Sequence, residues 1–304
     1  MKVTLTGATG TLGRALVEEL LGRGDEVTVL SRDAEKVSSA FGGRVRALEW
    51  RDPKAEAPPT EALAGQDGVI HLLGEPVAQR WSDAAKNEIR DSRVLSTRNL
   101  VAALKEADPR PSVLVSQSAS GWYGPRGDER VDESEPAAGD FLARVCVEWE
   151  AEACKAEELG MRVALTRTGV VLSESGGALE KMLPPFKAGV GGPVAGGGQY
   201  VPWIHTEDVV GAQLFALDTA AASGPLNLSA PEPVTNKELS KALGRVLKRP
   251  AVAPVPAFAV KLLYGDMAQI VTTGVRMVPG RLAELGYTFR QPDLEQALRS
   301  ATGK

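Results

Sequence analysis

Three glycines, at positions 7, 10 and 13, follow directly on a short strand pattern, Lys2-Val-Thr-Leu-Thr6, and lead into an amphipathic run that reaches Arg23. Glycine admits backbone angles closed to other residues and lets a ligand approach the main chain. The helix start beyond the turn, with Thr9, Thr11 and Leu12 between the glycines, offers unpaired N–H groups and the positive end of a dipole. That is the chemistry a pyrophosphate needs. A second strand, Glu26-Val-Thr-Val-Leu-Ser31, returns about 20 residues on, which completes the strand–turn–helix–strand order of a dinucleotide-binding βαβ unit. Arg14 stands where a nucleotide-triphosphate loop would end in Gly-Lys-Ser/Thr, against that alternative. The end of the second strand selects the cofactor, because a carboxylate there bonds the ribose of NAD whereas an arginine accommodates the extra phosphate of NADP. The residues are Ser31 and Arg32, with Asp33 next as a helix cap. The cofactor they imply is NADP (NADPH).

The elements that must hold this turn continue in the same rhythm. Strand patterns recur at 44–49, 68–73, 112–116 and 162–166, each short and nearly continuously apolar, as strands buried on both faces of a parallel sheet are. Helical patterns fill 82–105 and 141–160, the latter stopped by Gly160. Repeated βα units make an α/β fold, a Rossmann-type doubly wound parallel sheet. The reading assigns 1–172 to the dinucleotide-binding domain, with 199–228 packing back onto it, and 173–304 to a smaller, mostly helical C-terminal lobe. In that lobe six of the ten residues 189–198 are glycine, which suggests turns around a short hairpin. Helical patterns follow at 236–247, 256–273 and 293–300, punctuated by prolines.

Ligand sites in such sheets lie beyond the carboxyl ends of the strands. The fourth strand ends in Leu72, Leu73 and Gly74, where glycine lets the backbone pass close to a cofactor ribose. The fifth ends in Ser116-Gln-Ser-Ala-Ser-Gly-Trp-Tyr123, which brings hydroxyls and a phenol toward the nicotinamide. Ser118 there is a candidate to polarise a substrate carbonyl and Tyr123 a candidate to move a proton. Thr168, Gly169 and Val170 after the sixth strand are expected to line the nicotinamide pocket. Trp81, Trp203 and His205 are the candidate contacts to substrate.

Composition narrows the function further. The chain has 304 residues, 43% hydrophobic, with 35 basic against 39 acidic residues and a net charge of −4. No basic block points to nucleic acid, and no apolar run is long enough for a membrane span. Met1 leads straight into a strand, so no signal peptide is expected. Cys146 and Cys154 lie too far apart within one helical pattern for a disulfide, and a reducing, cytoplasmic setting is expected. His71 and His205 lack companions at metal-ligand spacing, so no metal is expected.

Four stretches together carry a resemblance: the turn 7–13, Ser118-Ala-Ser-Gly-Trp-Tyr-Gly124, Leu165-Thr-Arg-Thr-Gly169 and Pro202-Trp-Ile-His-Thr-Glu-Asp208. They resemble the extended short-chain dehydrogenase/reductase superfamily, which includes the nucleotide-sugar epimerases. The tail segments Pro254-Val-Pro-Ala-Phe258, Gly265-Asp-Met-Ala-Gln269, Thr273-Gly-Val-Arg276 and Pro292-Asp-Leu-Glu-Gln-Ala-Leu298 are similar to those of a subgroup of NAD-dependent epimerase-like proteins with a C-terminal domain of unknown function. The resemblance covers nearly the whole chain and implies an NADP-binding domain with a substrate lobe after the sixth strand. Superfamily members use a serine with a Tyr-x-x-x-Lys pair, in which the tyrosine transfers the proton while the lysine lowers its pKa and holds the ribose. Here the corresponding helix reads Phe141-Leu-Ala-Arg-Val-Cys-Val-Glu-Trp-Glu150. Leu142 and Cys146 occupy the two places, and Glu150 falls where a glutamate is frequent.

Two functions stay open on this reading. One is an oxidoreductase or epimerase-like enzyme acting on a small polar molecule, a sugar derivative among the candidates. It would use Ser118 and Tyr123, or Cys146 or Glu148 as another group, or a reaction that needs no strong acid. The other is a non-catalytic NADP(H)-binding sensor or scaffold. Related enzymes pair through two long helices, here 82–105 and 141–160, which leaves a homodimer open.

Overall fold

Alternating apolar strands and amphipathic helices give a seven-stranded parallel sheet in the order β11-β7-β5-β4-β1-β2-β3. The computed structural model describes residues 1–173 and 175–304. The strands are β1 (Lys2–Thr6), β2 (Glu26–Ser31), β3 (Arg46–Glu49), β4 (Gly68–His71), β5 (Val113–Ala119), β6 (Arg130–Val131), β7 (Arg162–Thr168), β8 (Val170–Leu172), β9 (Tyr200–Val201), β10 (Trp203–His205), β11 (Gly224–Leu228), β12 (Val234–Thr235) and β13 (Arg276–Met277). The six strands outside the main sheet form three two-stranded pairs: β8 with β10, β9 with β12, and β6 with β13. Helices α1 (Thr11–Gly22), α2 (Ala34–Ala40), α3 (Asp83–Glu106), α4 (Phe141–Cys154), α5 (Gly177–Lys187) and α6 (Thr206–Asp218) are followed by α7 (Asn236–Leu247), α8 (Ala257–Tyr264), α9 (Gln269–Thr272), α10 (Gly280–Glu284) and α11 (Leu294–Thr302).

Strand alternation divides the core into two layers. Val3, Leu5, Val29, Val115 and Ala164 face Leu16, Leu20, Val209 and Ala212 of α1 and α6. Leu30, Val69, Leu114 and Leu165 face Leu100, Leu104 and Ala153 of α3 and α4. A third cluster, around Leu183, Phe186, Trp203, Leu243 and Leu298, joins α5, α7 and α11. β1 pairs with β2 on one side and with β4 on the other. The strand order therefore reverses beside the glycine turn, and this switch point opens a crevice at the strand ends.

The structure departs from the sequence reading in several places. β5 runs on to Ala119 and β7 to Thr168, whereas β4 stops at His71. α4 ends at Cys154 and tightens into a 3₁₀ turn before left-handed Gly160. The helical pattern 256–273 breaks at Gly265, whose φ of 62° closes α8. Residues 189–198 form no hairpin; Val194 bridges in parallel to Val255 instead. α8 leaves Phe258, Leu262 and Leu263 exposed. Among the described residues no helix is long and apolar enough to cross a membrane.

Candidate functional site

The glycine turn is a cradle that side chains cannot enter. Gly7 sits at φ 74°, and a Cβ there would approach Leu72 Cβ at 3.1 Å. A Cβ on Gly13 would lie 2.6 Å from Ala8 Cα and inside the contact shell of the Gly7 carbonyl oxygen, so α1 packs backbone to backbone on β1. Gly10 is the N-cap of α1, no side chain caps the helix, and its first turn carries no acid. The free N–H groups and dipole end therefore face the crevice uncompensated. Thr9 and Gly10 are exposed, and Thr11 Oγ1 donates to the Ser175 carbonyl at 2.9 Å, tying the loop after β8 to the turn.

At the end of β2, Ser31 Oγ accepts the Asp33 N–H at 3.2 Å, and Asp33 caps α2 through the Lys36 N–H. Arg32 is exposed and makes no hydrogen bond or ion pair with the described residues. The end of β4 is fixed by a chain of hydrogen bonds through buried His71. Thr97 Oγ1 donates to the Arg93 carbonyl, so it accepts from His71 Nε2. His71 Nδ1 then accepts from Thr6 Oγ1, which accepts the Leu72 N–H. Burial lowers the His71 pKa to about 3, so the ring stays neutral in this relay. Leu72, Leu73, Gly74, Gly169 and Val170 all keep accessible surface along the crevice. A turn with glycine at 7, 10 and 13, a bare helix start and an arginine unpaired among the described residues at the neighbouring strand end fit a phosphorylated dinucleotide.

The candidate catalytic hydroxyls lie elsewhere. Ser118 and Tyr123 are both 0% exposed. Ser118 Oγ donates to Glu150 Oε1 at 2.6 Å, and Arg167 grips both carboxylate oxygens of Glu150 at 2.9 and 2.8 Å. Arg167 Nη1 also donates to the Tyr123 hydroxyl at 3.0 Å, which donates to Asn227 Oδ1 at 2.7 Å. Burial pushes the phenol up to about 12 against the pull of Arg167. Every side-chain polar atom in this network is hydrogen-bonded, Asn227 Nδ2 donating outward to the Val278 carbonyl at 3.0 Å. Ser118 and Tyr123, the expected catalytic pair, are thus both enclosed in this structure: β5 turns Ser118 toward Glu150 of α4, and the phenol is held by Arg167 and Asn227. Cys146 is closed as well, its thiol raised to about 12 by burial, then by Glu150. Glu148 pairs with Arg90 across α3 and α4.

The other candidates separate. Ser116 is buried in the middle of β5, level with His71 of β4, and its Oγ has no hydrogen-bond partner among the described residues. Thr168 is buried and donates to the Thr166 carbonyl. Trp203 is core of the C-terminal lobe, with Nε1 on the Glu232 carbonyl. His205 caps α6, its Nδ1 accepting the Glu207 N–H at 3.2 Å. Trp81 packs edge-on against Phe141, ring centres 5.2 Å apart. Of the three expected substrate contacts, Trp203 thus lies in a hydrophobic cluster and His205 at a helix cap. Among the described residues no cluster of potential metal ligands occurs. Sequence reasoning passed over Arg167, Asn227 and Arg93, although a charged residue inside the apolar run of β7 was a signal.

With this geometry in hand, comparison with known proteins is decisive at the family level. A profile of the NAD dependent epimerase/dehydratase family matches residues 3–229, and a domain of unknown function, DUF1731, matches 255–301. The chain belongs to the NAD dependent epimerase/dehydratase family. It is 39% identical to the chloroplastic epimerase family protein SDR39U1 homolog of Arabidopsis thaliana, over 99% of this chain and 86% of that protein. It is also 39% identical to the epimerase family protein Mb2239 of Mycobacterium bovis, over 99% of this chain and 97% of that one. The crystal structure of human epimerase family protein SDR39U1 with NADPH superposes with a TM-score of 0.88 at 31% identity, covering all of both chains.

Proposed function

We propose that this member of the family binds NADPH along the carboxyl edge of its sheet. The observation that carries the reading is the uncapped, acid-free start of α1 behind a turn with no room for a Cβ at Gly7 or Gly13, with Arg32 unpaired among the described residues at the next strand end. The turn from Gly7 through Thr9, Gly10, Thr11 and Leu12 to Gly13 would hold the pyrophosphate, and Ser31 and Arg32 the 2′-phosphate. Leu72, Leu73, Gly74, Gly169 and Val170 would flank the nicotinamide half, with Ser116 and Thr168 behind it. The human relative's NADPH supports this choice of cofactor.

When bound, the cofactor supplies a nicotinamide that can give or accept a hydride. The chain's own residues position it and exclude water, but Ser118, Tyr123 and Cys146 offer no open proton donor. This favours an NADPH-binding sensor or scaffold. The enzyme reading, an oxidoreductase or epimerase for a small polar substrate, draws support from the accessible surface at Gly74, Gly169 and Val170.

The test is titration of the protein with NADPH and NADH, read by nicotinamide fluorescence, beside Arg32→Asp. NADPH should bind about tenfold or more tightly than NADH, and the variant should lose that preference. Equal binding of both, unchanged in the variant, would refute the role of Arg32, and no binding at all would refute the cofactor. Carbonyl-dependent oxidation of NADPH would then decide for the enzyme.

A further inference from the structure

Two arginines are withdrawn from most of the solvent, Arg167 at 3% exposure and Arg93 half-buried, and their charges are treated differently. Arg167 faces the carboxylate of Glu150. Arg93, on α3, has no ion pair among the described residues. Its Nη1 donates to the Ile89 carbonyl at 2.8 Å and its Nη2 to the Glu75 carbonyl at 2.9 Å. The guanidinium lies 5.3 Å from the centre of the Trp149 ring. Burial lowers its pKa, and the Cys146 thiol and Glu75 are near enough to oppose that shift in part. It nevertheless keeps accessible surface. A cation packed on most sides but open on one lies in the wall of a crevice, not within a core.

What it faces is set by the backbone. A Cβ on Gly74, the exposed residue beyond β4, would lie 2.8 Å from Arg93 Cζ. Ser92 Oγ accepts the Glu75 N–H at 3.0 Å, so two successive residues of α3 clamp the 74–75 turn under the guanidinium. Of five N–H donors on an arginine, two bond to the described residues, which leaves three without an acceptor among them in a guanidinium that lies against Gly74 at the strand end. In this sheet one nucleoside half of a dinucleotide lies over β1 and β2, where Arg32 stands, and the other over β4 and β5.

We infer that Arg93 is the donor for the hydroxyl oxygens of the nicotinamide-side ribose. This rests on the cofactor reading above. A planar fork suits two adjacent oxygens, as it does a carboxylate or phosphate. A buried charge held by two carbonyls and a ring face, with no carboxylate among the described residues in ion-pair contact, gains from such a partner because burial has removed most of its hydration.

The experiment compares two ligands, NADPH and adenosine 2′,5′-bisphosphate, which carries the adenine end and lacks the nicotinamide ribose. Arg93→Met should weaken NADPH about tenfold while leaving the bisphosphate unchanged, as expected for loss of a charge-assisted hydrogen bond. Arg93→Lys, which keeps the charge without the fork, should fall between. The ratio of the two affinities is unaffected by a fraction of unfolded protein, so a destabilised variant still reports. An unchanged ratio in both variants overturns the inference. Failure of the unaltered protein to bind either ligand instead overturns the cofactor reading beneath it.

Discussion

Asp208 accepts the backbone N–H of Arg290 on Oδ1 at 2.7 Å and that of Gln291 on Oδ2 at 2.9 Å. The carboxylate is 1% exposed, and the Tyr287 hydroxyl lies 3.3 Å from the same Oδ1. One side chain at the start of α6 thus ties the C-terminal segment to the sheet domain. Asp208→Asn would turn an NH₂ toward one of these two N–H donors. It should cost about 1–3 kcal/mol, as an unsatisfied buried donor does. Urea unfolding followed by tryptophan fluorescence measures this, and an unchanged midpoint would show that the tie is not needed.

The pair Glu150–Arg167 should behave as a unit. Glu150→Gln or Arg167→Met alone leaves an uncompensated buried group and should cost about 3–5 kcal/mol. The double variant Glu150→Leu/Arg167→Met should cost clearly less than the sum. A double-mutant cycle from denaturant midpoints reads the coupling; strict additivity would contradict it.

Tyr123→Phe separates a sealed phenol from a reacting one. It strands the Asn227 carbonyl oxygen and one Arg167 N–H, so stability should drop by about 1–3 kcal/mol. NADPH affinity should stay as it was. A loss of affinity with unchanged stability would place the phenol in the crevice after all.

Acid should weaken the fold in part through His71. Its folded pKa is lowered from 6.5 to about 3 by burial. The unfolded chain therefore binds a proton first, and the contribution of this group, fully present above about pH 6.5, is lost as pH falls toward the folded value. Each pH unit within that window removes about 1.4 kcal/mol. Denaturant midpoints at several pH values should fall less steeply in His71→Gln than in the unaltered protein. Parallel profiles would assign the acid sensitivity to other groups.

Gly13→Ala and Gly22→Ala, in the same helix, should act in opposite directions. The first puts a methyl against Gly7 and Ala8 and should cost about 1–3 kcal/mol while weakening NADPH. At Gly22 nothing lies within 4 Å of the added carbon, so helix propensity alone should stabilise by up to about 1 kcal/mol. Thermal unfolding of the two variants decides it.

What could be read from the chain was what local rules govern. Strands buried on both faces announce themselves as apolar runs, and the glycine turn with Ser31-Arg32 lies within one βαβ unit. The orientation of Ser118 and Tyr123 was not local. Their partners Glu150, Arg167 and Asn227 stand 32, 44 and 104 positions away in the chain. Proline hid two elements. α5 contains Pro184 and Pro185, and β11 contains Pro225, which an edge strand tolerates because one side of its ladder is open. The role inferred for Arg93 rests on a turn from another strand, so nothing in its own helix marked it.

Glu150, gripped by Arg167, anchors α4 one turn beyond Cys146. Cys146 is itself 3% exposed, and its thiol and Leu142 pack toward Gly121. A tyrosine and a lysine at 142 and 146 would have to displace that packed contact, whereas the ion pair beyond them could stay. The two places where proton-transfer groups would stand are filled as interior, and the scaffold has closed around them.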